Sequence, residues 1–227
     1  MPLEDLAEKL AEVARELASE DVEHTLEKAE RLAVDVVGAC DAAGVTVVRE
    51  KQVETPLHTE ELARRGDELQ HQLGEGPCLD AITADDLIVS RDLATEQRWP
   101  KWAPAVVEEL GLRSLMCVQL FTSEQTVGAL NMYSRQPDAF DEKVDRPEAQ
   151  ALAAHIAVAL ASAQEVEGLN IALTSRTVIG QAEGILMERF GLSAERAFQV
   201  LQRVSSHTNT KLRAVAEELV RTRQTPG

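Results

Sequence analysis

The sequence has no closely spaced pair of cysteines. Its three, Cys40, Cys78 and Cys117, are scattered, with no CxxC spacing. An odd, scattered set excludes a disulfide framework and a structural zinc site as organising devices. Cys117 lies in an apolar run and Cys40 ends a helical one, so buried thiols in a reducing cytoplasm are expected. No window approaches 18 consecutive apolar residues, so no membrane-spanning helix is expected. The start, MPLEDLAEKL, lacks the basic residues and apolar run of a secretory signal. No P-loop, paired acids or nucleophile–base pair is visible, so catalysis is not expected.

Positive charge is also scarce. The 227 residues carry a net charge of −16, and a strongly acidic chain should avoid nucleic acid. The deficit is uneven, however. Residues 1–167 hold 15 Lys+Arg against 34 Asp+Glu, a balance of −19, whereas residues 168–227 hold 8 against 5, a balance of +3. Such asymmetry points to a nucleic-acid-facing segment at the carboxyl end.

Apolar spacing then organises the chain. Leu3, Leu6, Leu10, Val13 and Leu17 form one helical stripe, and Val22 to Val36 repeat it. VTVVR (45–49) and LIVS (87–90) read as strands, and 59–73, 78–84 and 99–111 as helices, with a tight turn at GEGP (74–77). SLMCVQLF (114–121) and TVGALNMYS (126–134), joined by TSEQ, read as a β-hairpin. Helices flanking a mostly antiparallel sheet make an α+β domain. From about Pro147 the chain reads as helix throughout. Leu152, Ile156, Ala159, Ala163, Val166, Asn170 and Leu173 form a near-heptad seam that either pairs two chains into a homodimer or covers the chain's own sheet. After Gly191, Ser193 is suited to N-cap a helix bearing Ala197, Phe198, Leu201 and Val204. Thr208 or Asn209 would cap a last helix bearing Leu212, Val215, Ala216 and Leu219. Three such helices make a minimal bundle.

Residues 174–220, TSRTVIGQAEGILMERFGLSAERAFQVLQRVSSHTNTKLRAVAEELV, closely resemble the ANTAR family. The resemblance implies an RNA-binding transcription antiterminator that acts as a dimer on paired hairpins with loops in nascent transcripts. Residues 20–165 resemble a GAF sensor domain, through GEGPCLDAI (74–82), the strand pair 111–142 and an Ala-rich closing helix. The implied layout is an N-terminal amphipathic helix (1–19), a GAF domain (20–165) and an ANTAR output domain (166–227). One departure concerns Glu183, which stands where family members commonly carry Lys in a Gln-Ala-Lys-Gly stretch. An anion there would cost affinity near phosphate.

Arg196, Gln199, Arg203 and His207 recur at three, four and four, sharing one stripe of the second output helix, and Asn209, Lys211 and Arg213 open the third. Arg176 and Arg189 come from the first. These nine are the candidate RNA contacts, with a merely solvated face as the alternative for the same charges. Phe190 and Phe198, the module's only aromatics, lie on apolar stripes and are expected in the core. The GAF resemblance implies a pocket between sheet and covering loops, for which His58, His71, Cys78, Met116 and Tyr133 are candidate lining residues. It holds either an unknown small molecule or nothing. AFDE (139–142) lacks the preceding Asn-Lys of a cyclic-nucleotide motif, and no cofactor or metal is expected. The other readings are a non-catalytic protein-interaction scaffold and, remotely, a Cys78-based redox enzyme like sulfoxide-reducing GAF relatives.

Overall fold

The expected hairpin anchors the first half of the chain. In a computed structural model, which describes residues 3–17, 21–49, 52–54, 61–83, 87–123 and 125–224, β4 (Ser114–Phe121) and β5 (Thr126–Ser134) pair antiparallel from Ser114 opposite Ser134 to Phe121 opposite Thr126. With β1 (Ala42–Arg49), β2 (Gln52–Glu54) and β3 (Leu87–Ser90) they build a five-stranded sheet of order β2-β1-β5-β4-β3, antiparallel at each pairing. β1 begins at Ala42, three residues before the β-branched run that announced it. β2 had no sequence signal, because three residues with one apolar side chain carry no alternation.

Two compact units are present, Met1–Glu165 and Val166–Gly227. In the first, alternation along the strands sends side chains to two faces. Val45, Val47, Met116, Val118, Leu120, Leu130 and Met132 pack under α1 (Leu3–Leu17), α2 (Val22–Val36) and the beginning of α6 (Asp145–Phe190). Ile88, Leu115, Cys117, Ala129 and Tyr133 face α3 (Glu61–Leu73), α4 (Pro77–Thr83) and α5 (Trp102–Leu110). The N-terminal helix is not separate from this unit, since Val13 and Leu17 of α1 lie in the same core as α2. Among the described residues, β2 pairs with residues 47–49 of β1 alone. The Val45 N–H on that edge donates instead to Glu30 Oε1 of α2 at 3.2 Å, which gives a fully buried carboxylate a reason to be there.

The boundary between the units falls inside α6, and the near-heptad seam changes character there. Leu152, Ile156 and Ala163 are buried on the sheet and Ala159 is partly so, whereas Val166, Asn170 and Leu173 are exposed. The first half of the seam therefore serves its own fold, and only the second is open to a partner. α6 also holds an 18-residue stretch with a mean hydropathy of 1.3, enough by length and composition alone to cross a membrane. The contrary expectation rested on uninterrupted apolar runs, which α6 lacks. Only 22% of that stretch is buried, so covering the sheet accounts for a minor part of it.

In the second unit, α6 packs Ala182 and Leu186 against Ala197 and Leu201 of α7 (Ala194–Thr208) and Val215, Ala216 and Leu219 of α8 (Leu212–Thr222). Gly191 at φ 63° stops α6 with a conformation other residues rarely adopt. The Ser193 hydroxyl then accepts from the Arg196 N–H at 3.3 Å, as expected of an N-cap. Replacing Ser193 by Ala should cost about 1 kcal/mol, read as roughly fivefold faster hydrogen exchange of the α7 amides. Asn209 departs from its expected role. At φ 50° it closes α7, its N–H bonded to the Ser205 carbonyl, and Lys211 occupies the α8 N-cap position without a side-chain bond. Asn tolerates the left-handed region, and that competes with capping.

Candidate functional site

A polar cluster lies within the second face of the sheet. α3 turns Ala63, Asp67 and Gln70 inward at spacings of four and three. Asp67 is 1% exposed. Its Oδ1 accepts from Tyr133 Oη at 2.8 Å, Gln70 Nε2 at 3.0 Å and Asn131 Nδ2 at 3.1 Å. Asn131 Nδ2 also donates to Thr46 Oγ1 at 3.3 Å. The other Asp67 oxygen and Asn131 Oδ1 are buried with no hydrogen-bond partner among the described residues. Among the described residues no cation acts on Asp67, and burial pushes its carboxyl up to about 7 against the pull of three hydrogen bonds. Gln70 Oε1 accepts from the Cys78 N–H at 2.8 Å, tying α3 to the start of α4. The preceding Gly76, at φ 149°, has its backbone so close to the Gln70 side chain that a Cβ would overlap it.

Of the five candidate pocket residues, Cys78 and Tyr133 belong to this cluster's layer. Met116 is on the opposite face of the sheet, because it is one strand position out of phase with Cys117. His71 is exposed at the end of α3, and His58 lies outside the described residues. Trp99 and Trp102, T-shaped with centroids 5.6 Å apart, help fill the layer. Asp67, Gln70 and Asn131 went unread in the sequence. The available signal was one amide in the apolar run TVGALNMYS and an inward-facing acid on α3. The thiols here are inert. Burial raises Cys78 to about 12 and Cys117 well above its usual value. No group of three or more His, Cys, Asp or Glu side chains that could hold a metal occurs among the described residues.

The second unit presents a different chemistry. Arg196, Gln199, Arg203 and His207 of α7 are exposed, as are Asn209 and Lys211 just beyond it. Arg176 and Arg189 of α6 are exposed too. Among the described residues, Arg176, Arg189, Arg196, Arg203 and Lys211 make no ion pair, so their charge is available to an anion. Arg213 differs. It is half-buried, and its Nε donates to Glu217 Oε1 at 2.7 Å. Glu183 is half-buried. The aromatics are not where apolar spacing put them. Phe190 is exposed, and Phe198 is half-buried outside the core cluster. A cleft of about 530 Å³ is lined by Gln181, Gly184, Ile185, Glu188, Arg189, Val220 and Arg223.

Comparison with known proteins bears on both units. A GAF domain model matches residues 19–161 and an ANTAR domain model matches residues 167–220. No curated protein matches the chain. Among solved structures, the chain is similar to the Stigmatella aurantiaca phytochrome photosensory core module, at 11% identity and a TM-score of 0.56, covering 94% of this chain and 46% of that one. The chain thus spans less than half the length of that module. It is also similar to the GAF domain of an Acinetobacter phosphoenolpyruvate-protein phosphotransferase, at 16% identity and a TM-score of 0.54, covering 72% of this chain and 98% of that one. A third likeness is to free methionine-R-sulfoxide reductase from Neisseria meningitidis, at 17% identity and a TM-score of 0.51, covering 70% and 90%. At these identities the likeness concerns the fold.

Proposed function

Because the chain belongs to the GAF-domain family and carries an ANTAR domain behind it, we propose that it is a signal-responsive, RNA-binding regulator of transcription antitermination. On this reading residues 20–165 are the sensor and residues 166–227 the output, with 1–19 an N-terminal helix. The output bundle grips hairpin loops of a nascent transcript in the cytoplasm, so that the transcript no longer forms its terminator. Two copies pair along the exposed part of α6, where Val166, Leu169 and Leu173 recur at three and four, and so place two bundles for two hairpins. A small molecule bound by the sensor half shifts that pairing.

The observation that carries this reading is the set of exposed cations on the ANTAR-matching bundle, Arg196, Arg203 and Lys211, none of them in an ion pair among the described residues. Their charge is free to replace counterions on phosphate. Catalysis is outside the reading. Cys78 is 2% exposed and its thiol is raised to about 12, so it is neither reachable nor ionised near neutral pH.

The test is a salt titration of the full chain with hairpin RNAs selected from a pool of randomised loops. Four or five phosphate contacts give a slope of about −3 to −5 in log affinity against log salt. A folded chain that retains no hairpin at low salt, or binds with a slope near zero, overturns the proposal.

A further inference from the structure

Phe190 is an unexpected residue to leave bare. It continues the stripe of Ala182 and Leu186 at spacings of four, and those two are fully buried while Phe190 is 56% exposed. α6 ends there, and Gly191 turns the backbone away before α7 begins. The largest apolar side chain of the stripe therefore stands past the core it would otherwise join. Met187, three residues back, is the other exposed large apolar side chain near this end of α6.

The surroundings are ionic. Arg189 precedes the ring, is exposed and is in no ion pair among the described residues, and it shares the 530 Å³ cleft with Arg223, Gln181 and Glu188. Phe190 itself does not line that cleft, but an exposed ring next in sequence to an exposed arginine that is in no ion pair among the described residues suits single-stranded nucleic acid, in which cations track the phosphates and rings receive the bases. The C-terminal end of α6 itself repels phosphate, because its last carbonyls carry partial negative charge. Two apolar side chains between charged neighbours make a small patch for a protein partner, which needs some hundreds of Å².

Resting on the reading of the second unit as an RNA-contacting module, we propose that Phe190 is a stacking platform for one unpaired base of the bound RNA. It adds to the α7 and α8 cations a contact that distinguishes an unpaired loop from a duplex.

The experiment compares the full-length wild-type chain with Phe190→Leu, which keeps apolar bulk but removes the ring, and Phe190→Trp, which keeps a ring. The RNAs are hairpins selected by the wild type from randomised loops, with 2-aminopurine placed at each loop position in turn. The expected result is a loss of about ten- to a hundredfold in affinity for Phe190→Leu, near-wild-type binding for Phe190→Trp, and a 2-aminopurine quench at one loop position that Phe190→Leu abolishes. Circular dichroism checks that helix content is unchanged. If the wild type selects RNA but Phe190→Leu binds it equally with the same quench, the stacking role is overturned and the RNA-binding function stands. If Phe190→Leu instead converts a sedimenting dimer to monomer with quenching intact, the ring is a contact between copies and the proposal is likewise overturned. If the wild type selects no RNA, the functional reading falls and this inference with it.

Discussion

Replacing Asp67 by Asn should remove a pH dependence of stability that the wild-type sensor half shows between about pH 4 and pH 7. The Asp67 carboxyl is raised from its usual 3.8 to about 7 by burial. Below about pH 4 it is protonated in both the folded and unfolded chain and costs nothing. Between the two values the folded state holds a proton that the unfolded state has released, so stability falls as pH rises, and above about 7 the loss is complete. A gap of about three pKa units corresponds to about 4 kcal/mol. Asn keeps an acceptor oxygen for Tyr133, Gln70 and Asn131 and carries no charge. Other carboxyls act in the opposite sense. Glu96, lowered to about 2 chiefly by its hydrogen bond from Arg98, and Asp92, lowered by Arg113, add stability as pH rises. They are common to both proteins and cancel in the difference. Urea unfolding of the two chains at several pH values measures that difference. The variant should gain on the wild type by several kcal/mol between about pH 4 and pH 8, and parallel profiles would show that Asp67 stays ionised throughout.

The second large effect is on affinity. Substituting Arg196, Arg203 and Lys211 together by Ala should weaken hairpin binding on the order of a hundredfold at moderate salt and reduce the slope of log affinity against log salt by about 2 to 3. All three are exposed and outside the bundle core, and Ala favours helix, so the bundle should survive. Arg213→Ala is the internal contrast. Its guanidinium is already engaged by Glu217, so its removal should change the slope less than any one of the others. Fluorescence anisotropy across a salt series separates the cases, and an unchanged slope for the triple variant would remove the α7 face from the interface.

Periodicity made much of this architecture legible. The β4–β5 hairpin, the Ser193 cap and, Phe198 aside, the apolar faces of α7 and α8 stand where alternation and three-four spacing put them. What spacing could not reveal is what covers a stripe. Leu152 and Leu173 belong to one seam by sequence, yet one is fully buried and the other 68% exposed, since the sheet ends before the seam does. Phe190 differs from Leu186 for the same reason, because the bundle ends before α6. Long-range pairing was equally hidden. Asp67, Asn131 and Thr46 meet only once β1, β5 and α3 are assembled, and no local pattern joins positions so far apart.

From Val166 to Thr177 no residue of α6 is fully buried, and only Glu167 and Ser175 are partly so, so that stretch draws little support from an apolar core. Its composition offers little of its own. Gly168 interrupts it, and the hydroxyls of Thr174, Ser175 and Thr177 donate to the carbonyls of Asn170, Ile171 and Leu173, loosening the backbone ladder they lean on. An isolated helix of this length is barely favourable in water, so a turn or two here should open at less cost than anywhere else in α6. Cover placed over Leu169 and Leu173 would therefore act first on how tightly this stretch of helix is wound.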